Sequence, residues 1–371
     1  MSSVQYHDLA PSNDQSLFQE FDSIDFEMIV PNRKLLKNSV MFECNLNYVY
    51  KTGTTDLAVG DDIKLDSRIG FHGLCESWNI SSAQQGQIQN LHNYGRYVST
   101  VASSSLDAND YCNINYQAEG RGVTEEQGCY VVQKVRVRNS QTITYAQDVC
   151  FSPKIALNAM VGDDYSFNKN GSLRVSMNLA RNNNFLFGKD FADTTYSISN
   201  VRLKFMTVPD DGKQGKMLMN SVVSVKSAIN SNSVNLLFKV PAKACNGVVM
   251  NFIQQSRENT NTENSYALEN LPNITSLQML FNSNTRQGIS YEILDRGEMI
   301  ENGVNALSES GHNQVSSSKV SVNNGFIIGQ SFEEYVDLSS QSFMVNIKHE
   351  TPAISTNQRL IYLYFLNLVE L

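Results

Sequence analysis

Apolar and polar residues alternate along much of this chain. The clearest stretch covers residues 40–51, in which every second residue from Val40 to Tyr50 is apolar. Neighbouring side chains on a strand point to opposite faces, so strict alternation predicts a strand with one buried face and one solvated face. Alternation or short apolar runs predict further strands at residues 74–80, 130–146, 148–159, 173–180, 201–205, 223–225, 234–240, 248–253, 277–281, 326–329, 335–338, 343–348 and 360–371.

Two stretches change to a helical period. In residues 83–101 the apolar positions recur every three or four residues, which predicts an amphipathic helix whose first turn is capped by Ser81 or Ser82. Gly86 inside this helix costs about 1 kcal/mol relative to alanine. Residues 293–307 repeat the same spacing in the second half of the chain, and they predict a second helix.

The two halves of the chain share one order of elements: about four strands, a helix, a polar loop and about four more strands. A turn-forming run at residues 209–212 separates them, and 371 residues exceed the usual size of a single core. The predicted fold is all-β with minor helices: two tandem eight-stranded jelly rolls, a double jelly roll, each with a helix between its early and late strands. We expect an N-terminal arm at 1–24, a first jelly roll at 25–212 and a second at 213–371.

The predicted arm is polar with a few apolar residues. Leu17, Phe18 and Phe21 would share one side of a short helix. These groups are too few for a core of their own, so the arm is expected to be a tail that becomes ordered on a partner surface. Deletion of residues 1–22 is then expected to leave the folded protein's melting behaviour unchanged.

Composition narrows the function. A net charge of −8 and a pI near 5.2 argue against specific nucleic-acid binding, which needs a basic face or tail. Charged residues make up only 18% of the chain, and asparagine and serine are abundant. The surface is therefore expected to be neutral and polar, which favours repeated contacts with other proteins because interface cores are depleted in charge.

One local cluster has the residue types of a thiol catalyst: His72, Cys75 and Glu76. Adjacent strand positions point to opposite faces and no third orienting group follows, so core packing is the preferred interpretation. The six cysteines lack CxxC spacing and are expected to be reduced and mostly buried, and the five histidines match no metal motif. No catalytic residue, cofactor-binding residue or metal ligand is assigned, and no cofactor is expected.

Two other groups of residues have alternative interpretations. Three aspartate pairs have the chemistry of a calcium site at a subunit boundary, although their glycine and proline neighbours favour turns. Trp78, Tyr94 and Tyr97 have the chemistry of a sugar-stacking platform, although core or interface packing is preferred. The aspartate pairs are Asp61–Asp62, Asp163–Asp164 and Asp210–Asp211.

The N-terminal residues lack the basic region and apolar core of a signal peptide, and no apolar run reaches 18 residues. A secretory signal and a membrane-spanning helix are therefore not expected. Three glycosylation sequons, at Asn79, Asn170 and Asn273, are interpreted as chance matches in a chain rich in asparagine and serine.

Three phrases of the sequence resemble the double jelly-roll major capsid proteins of tailless icosahedral viruses: DIKLDSRIGFHGLCESWNIS, IQNLHNYGRYVS and GFIIGQSFEEYVDLSSQSFMVNI. That lineage includes tailless membrane-containing phages, polinton-like viruses and, distantly, the adenovirus hexon. The resemblance covers residues 26–371, and the loops are shorter than in the large eukaryotic members. It implies a homotrimer whose six jelly rolls stand upright and form a pseudo-hexagonal capsomer.

The leading hypothesis is thus a structural, non-enzymatic capsid protein that self-assembles as trimeric, pseudo-hexameric capsomers into an icosahedral shell. Its expected location is the virion. Its expected partners are further copies of itself, other capsid proteins at the vertices, and an internal membrane or neighbouring capsomer bound by the arm. Two alternatives remain: a pentameric vertex or receptor-binding capsid protein, and a carbohydrate-binding or hydrolytic β-sandwich protein. Oligomeric state separates the first two, and a glycan array with a hydrolase screen detects the third.

Overall fold

The computed structural model describes most of the chain, and it is mostly β. It describes residues 3–51, 62–66, 68–105, 129–133, 142–188, 195–213, 215–267, 274–281, 284–292, 296–309, 327–349 and 358–371. The strands before residue 210 are β1 (Gln5–Leu9), β2 (Leu17–Gln19), β3 (Ser23–Met28), β4 (Arg33–Leu35), β5 (Met41–Lys51), β6 (Ile63–Asp66), β7 (Cys75–Ser82), β8 (Gly86–His92), β9 (Cys129–Gln133), β10 (Thr142–Phe151), β11 (Met160–Gly162), β12 (Tyr165–Ser166), β13 (Leu173–Leu179) and β14 (Thr195–Pro209). The later strands are β15 (Met217–Ile229), β16 (Ser233–Phe238), β17 (Cys245–Gln254), β18 (Ile274–Phe281), β19 (Asn284–Glu292), β20 (Ile328–Val336), β21 (Phe343–His349) and β22 (Arg359–Glu370). The helices are α1 (Tyr94–Ser105), α2 (Phe167–Asn170), α3 (Asn182–Phe185) and α4 (Arg296–Glu309).

The strands form two units with matching strand order. In the first unit, one sheet has the order β10-β5-β14, and β1 and β2 pair with the side of β14 opposite β5. The sheet that faces it has the order β8-β7-β13-β3. In the second unit, β20-β17-β22-β15 faces β19-β18-β21-β16. Rings from the facing sheets meet in both units: Phe42 lies 6.1 Å from Trp78, and Phe343 lies 5.2 Å from Phe365. Because α1 follows β8 and α4 follows β19, each unit also has its helix in the same place, and the predicted double jelly roll is confirmed.

The two units share one sheet of nine strands. Its main order is β20-β17-β22-β15-β8-β7-β13-β3, so it joins four strands of each unit. The joint is a short parallel contact in which Val223 on β15 lies opposite Asn90 on β8. One hydrophobic cluster runs from the first unit across this joint to Tyr362, Tyr364 and Leu366 on β22, and a second cluster fills the second unit. The division after residue 212 stays a prediction, but the buried core continues past it.

Alternation predicts the strands of the first unit well. In β5, Phe42, Cys44, Leu46 and Tyr48 are buried, as the period of two requires. Leu179 at the end of β13 is also buried. The predicted second helix is confirmed as α4.

The predicted start of the first helix is wrong, because residues 86–92 form strand β8 and the helix starts at Tyr94. Gly86, the first residue of β8, has φ +75° directly after the turn that follows β7, a conformation that favours glycine. The strand pairing shifts beside Ile88, since Gln87 and Gln89 lie opposite adjacent residues of β7. This bulge buries Ile88 and Leu91 on one strand at a spacing of three, which imitates a helix.

The N-terminal prediction also needs correction, because the residues expected to form a free arm contain two strands. β1 pairs antiparallel with β14 from Gln5 to Leu9, and β2 pairs with the same strand from Leu17 to Gln19. Phe18 points into the core and is 1% exposed. A strand at the edge of a sheet needs few apolar residues to hold it, which is why this segment reads as a polar tail.

One further strand differs from its prediction. The stretches 326–329 and 335–338 were expected to be separate strands, whereas Ile328–Val336 is the single strand β20. Its pairing with β17 shifts between Ser331 and Val336, so a bulge interrupts the alternation there. The polar loops predicted at 103–128 and 310–325 lie almost wholly outside the described residues.

Candidate functional site

The cluster with the residue types of a thiol catalyst is part of the core. His72 lies in a short 3-10 helix, is fully buried, and has its Nδ1 atom 2.7 Å from the Tyr94 hydroxyl. The Cys75 Sγ atom is buried 3.1 Å from the sulfur of Met177. Burial raises the pKa of the Cys75 thiol well above its ordinary value, so the reactive thiolate is disfavoured. These contacts agree with the core interpretation of both residues.

Glu76 contributes to a group of charges where the two units meet. Its carboxyl pKa is raised to about 7 by burial, against the opposing effect of the Arg96 and Lys226 charges. The Arg96 guanidinium on α1 is buried and lies 4.7 Å from the ring centre of Tyr362 on β22. Glu258 accepts a hydrogen bond of 2.9 Å from the Tyr362 hydroxyl and pairs with Lys226. No local pattern in the sequence indicates this group, because its members are up to 286 residues apart, from Glu76 to Tyr362.

A loop of the second unit inserts a tyrosine into the first. Tyr266 is buried, and its hydroxyl donates a hydrogen bond of 3.0 Å to the Gly73 carbonyl. A Cβ atom at Gly95 would lie 2.5 Å from the Tyr266 ring, so glycine is needed there for the close approach. The Ser99 hydroxyl donates to the Tyr266 carbonyl at 3.1 Å. The two units are therefore interlocked through side chains as well as through the shared sheet.

Two of the aspartate pairs surround a lysine. The buried Lys34 ammonium lies 2.8 Å from Asp211 and 3.8 Å from Asp163, and it donates to the Lys213 carbonyl at 2.6 Å. The hydrogen bond to Asp211 raises the Lys34 pKa, and the same bond lowers the pKa of Asp211. The Asp210 carboxylate accepts hydrogen bonds from the Ser166 hydroxyl and the Gly212 amide.

These contacts fix the position of the segment that connects the units, residues 210–215. The Asp163 carboxylate also accepts a hydrogen bond of 2.6 Å from the Gly215 amide, and the Lys169 ammonium donates to the Gly212 carbonyl at 3.0 Å. Asp61 lies outside the described residues. Within the described ranges, no three side chains of the metal-binding types come together as a metal site.

The aromatic residues considered as a sugar platform are buried. Trp78 packs edge-on against Tyr94 at 6.1 Å, and Tyr97 packs against Tyr364 of the second unit at 5.4 Å. A stacking platform for a sugar must be open to solvent, whereas all three predicted residues are at most 2% exposed. Their positions agree with the core interpretation. Of the three sequons, Asn170 is buried, Asn79 is half-buried, and Asn273 lies outside the described residues.

Exposed apolar side chains gather at the N-terminal edge of the first unit. Among the described residues, four of the nine large hydrophobic side chains that are exposed lie before residue 22: Val4, Tyr6, Leu17 and Phe21. Tyr6 is 82% exposed on β1. The described helices contain no segment with the length and hydrophobicity needed to cross a membrane.

Similarity to known proteins is visible in structure and not in sequence. No protein-family model matches the chain, and no curated protein matches its sequence. A chain in the structure of the Sputnik virophage is similar, with a TM-score of 0.59, 11% identity, and coverage of 99% of this chain and 86% of that one. The Faustovirus major capsid protein has a TM-score of 0.59, 8% identity, and coverage of 100% and 90%. The mavirus major capsid protein has a TM-score of 0.55, 10% identity, and coverage of 98% and 88%. These likenesses span nearly the whole chain, and they show that it has the double jelly-roll fold of these viral proteins.

Proposed function

We propose that this chain is a structural capsid protein that self-assembles into the shell of an icosahedral virus. The observation that supports this most is that two jelly rolls with matching strand order lie side by side on one continuous sheet. Viral capsid proteins with the same fold match nearly the full length of the chain. The few charged residues and the core positions of His72, Cys75 and Trp78 fit a structural role better than an enzymatic one.

The assembly unit in this proposal is a homotrimer. Three copies would place six similar units around one axis and give a pseudo-hexagonal capsomer, which can tile a shell through many small contacts. Other capsid proteins at the vertices are the expected additional partners, and the virion is the expected location. Contact of residues 1–24 with a neighbouring capsomer or an internal membrane stays part of the proposal, although β1 and β2 are paired with β14 and do not form a free arm.

The test is the mass and shape of the purified protein. Light scattering should give three times the chain mass of 41.5 kDa, and electron microscopy should show particles with six lobes in a hexagonal outline. A monomer would contradict the trimer, and a pentamer would favour the vertex-protein alternative. Binding on a glycan array without self-association would favour the third alternative.

A further inference from the structure

A histidine lies where the first strand of the chain meets its neighbour. His7 on β1 is opposite Phe205 on β14, and the two rings are stacked with their centres 4.9 Å apart and their planes at 15°. The Nε2 atom of His7 lies 2.8 Å from the Thr207 hydroxyl. The half-buried ring thus contributes one apolar and one polar contact to the docking of β1 on β14.

The direction of the polar contact follows from the other groups around Thr207. The Arg33 Nε–H donates a hydrogen bond of 2.6 Å to the Thr207 hydroxyl, and a guanidinium has donors only. Thr207 is fully buried, and among the described residues the one acceptor within hydrogen-bond distance of its hydroxyl proton is His7 Nε2. The hydroxyl therefore donates to His7, so the imidazole accepts at Nε2 and is neutral when β1 is docked.

The same arginine also holds the residues just before β1. Arg33 lies on β4, on the far side of β14, and its Nη2 atom donates to the Ser3 carbonyl at 2.7 Å and to the Thr207 carbonyl at 2.9 Å. The next residue on β4, Lys34, points to the other face of the sheet. A proton on His7 would replace the lone pair that accepts from Thr207 by a second donor, and it would place two positive charges on either side of one hydroxyl. Protonation of His7 thus opposes both of its contacts and repels the guanidinium that holds the strand.

The other charged groups of β1 and β14 lie on the opposite face of the sheet. Asp8 is opposite Lys204 in the strand register, and its carboxylate lies 3.7 Å from the Arg202 guanidinium. Side chains alternate between the faces of a strand, so the Asp8 carboxylate is directed away from His7. Burial and the Arg33 charge both lower the His7 pKa, which agrees with a neutral ring in the docked strand.

The segment that follows β1 is held by contacts that do not involve His7. The Ser12 amide and hydroxyl both donate to the Asp25 carbonyl, at 2.7 Å and 2.9 Å. The Asn13 side chain accepts a hydrogen bond of 2.6 Å from the Asp25 amide. Beyond it, Phe18 on β2 is buried in the core. A release of β1 is therefore confined to the residues before Ser12.

We propose that β1 is an acid-released strand, which is docked on β14 while His7 is neutral and detaches when His7 gains a proton. Detachment uncovers one edge of β14 and the Phe205 ring, which is 4% exposed in the docked state. In the detached strand the His7 pKa is the ordinary 6.5, whereas docking lowers it. The detached state therefore binds more protons, so docking is strongest above pH 6.5 and weakens as the pH falls below that value.

Hydrogen exchange of the whole chain at two pH values provides the test. Protection factors, which correct for the effect of pH on the intrinsic exchange rate, should fall several-fold for the amides of Gln5–Leu9 between pH 7.5 and pH 5.0. The amides of Leu17–Gln19 should keep their protection. An exposed aspartate is still ionised at pH 5.0, so the pair between Asp8 and Arg202 is retained.

Two histidine substitutions separate the proposed cause from a general effect of acid. His7→Gln keeps an oxygen that can accept the Thr207 proton but cannot become charged, so β1 should remain protected at pH 5.0. The matched control is His92→Gln, which removes a histidine from β8, a strand that does not pair with β1. The control should respond to acid as the wild type does.

The outcomes are distinct. Loss of β1 protection in the wild type and the control, but not in His7→Gln, supports the proposal. An equal loss in all three proteins, or unchanged protection in the wild type, overturns it. If His7→Gln does not dock β1 at pH 7.5, His7→Phe is the deciding variant because it keeps the ring stacked on Phe205, and an acid response as large as that of the wild type would again overturn the proposal. None of these results changes the capsid proposal.

Discussion

Two regions occupy equivalent places in the repeat but are built differently. One is the joint between the units, where β15 meets β8, and the other is the outer edge of the first unit, formed by β1 and β2. The joint buries charge, with Arg96 against Tyr362 and Glu76 nearby, and fixes strands with serine hydroxyls. The outer edge of the first unit consists of two short strands, β1 and β2, in place of one long strand, and its Tyr6 and Leu17 side chains are exposed. A joint within one chain forms as the chain folds, whereas the outer edge made by β1 and β2 is exposed to solvent in the single chain. Short edge strands limit unwanted pairing with other chains.

The largest expected effect concerns Phe18, which anchors the outer edge formed by β1 and β2. Phe18→Ala should lower the free energy of unfolding by about 3–5 kcal/mol, because Phe18 is a fully buried aromatic side chain. The neighbouring Leu17 is half exposed, so Leu17→Ala should change it by less than about 0.5 kcal/mol. Urea unfolding of both variants measures the difference. Equal effects would mean that β2 does not anchor the edge. Residues 17–19 would then behave as the free arm that the sequence predicts.

The next effect tests the Glu76 carboxyl at the joint through the pH dependence of the free energy of unfolding. In the folded protein Glu76 keeps its proton up to a pKa of about 7, whereas in the unfolded chain it loses it near 4.5. The folded state therefore binds more protons between these values, and stability falls as pH rises from about 4.5 to 7. A shift of this size corresponds to at most about 3.4 kcal/mol of stability.

Glu76→Gln should remove this part of the pH dependence. Urea unfolding of both proteins at pH 5 and pH 8 gives the comparison, since the other groups titrate alike in each. The variant should gain stability relative to the wild type at pH 8 and not at pH 5. Parallel pH profiles would show that Glu76 is ionised in the folded protein at both pH values.

A smaller effect is expected for the hydroxyls that join the strands. Ser221→Ala removes the buried hydrogen bond to the Ile88 carbonyl, and it should cost about 1 kcal/mol. Ser227→Ala, on the same strand but beyond the joint, should be close to neutral. Hydrogen exchange of the β8 amides should increase only in the first variant. Equal exchange in both variants would remove Ser221 from the joint.

The smallest effect concerns the connecting segment. Lys34→Met should change the free energy of unfolding by less than about 1 kcal/mol, because the Asp211 and Asp163 carboxylates that it leaves are partly exposed and can be hydrated. Limited proteolysis should nevertheless cut residues 209–216 faster, since the segment loses its ammonium contacts. Lys169→Met removes one outer contact to Gly212 and should have a weaker effect. Unchanged cleavage in Lys34→Met would contradict the role of this cluster.

The sequence predicts the repeated features of the fold and misses those made by distant contacts. Alternation located β5 and β13 because each has one buried face, and the order of elements predicted two jelly rolls. The bulge at Ile88 and the edge position of β1 and β2 have no clear local signal. The groups around Arg96 and Lys34 bring together residues from remote parts of the chain, so the sequence showed their aspartates and tyrosines only as separate turn or core residues.

The insertion of Tyr266 into the first unit also bears on the order of events during synthesis. The bond from Tyr266 to Gly73 spans 193 residues, and the bond from Tyr364 to Asn93 spans 271. Domains often fold as they leave the ribosome, N-terminal part first, but here the slot beside Gly73 and Gly95 stays empty until the second unit has been translated. Long-range closure of this kind slows folding. The nascent first unit is thus expected to remain incompletely packed, and ribosomal stalling before residue 266 should leave it sensitive to protease.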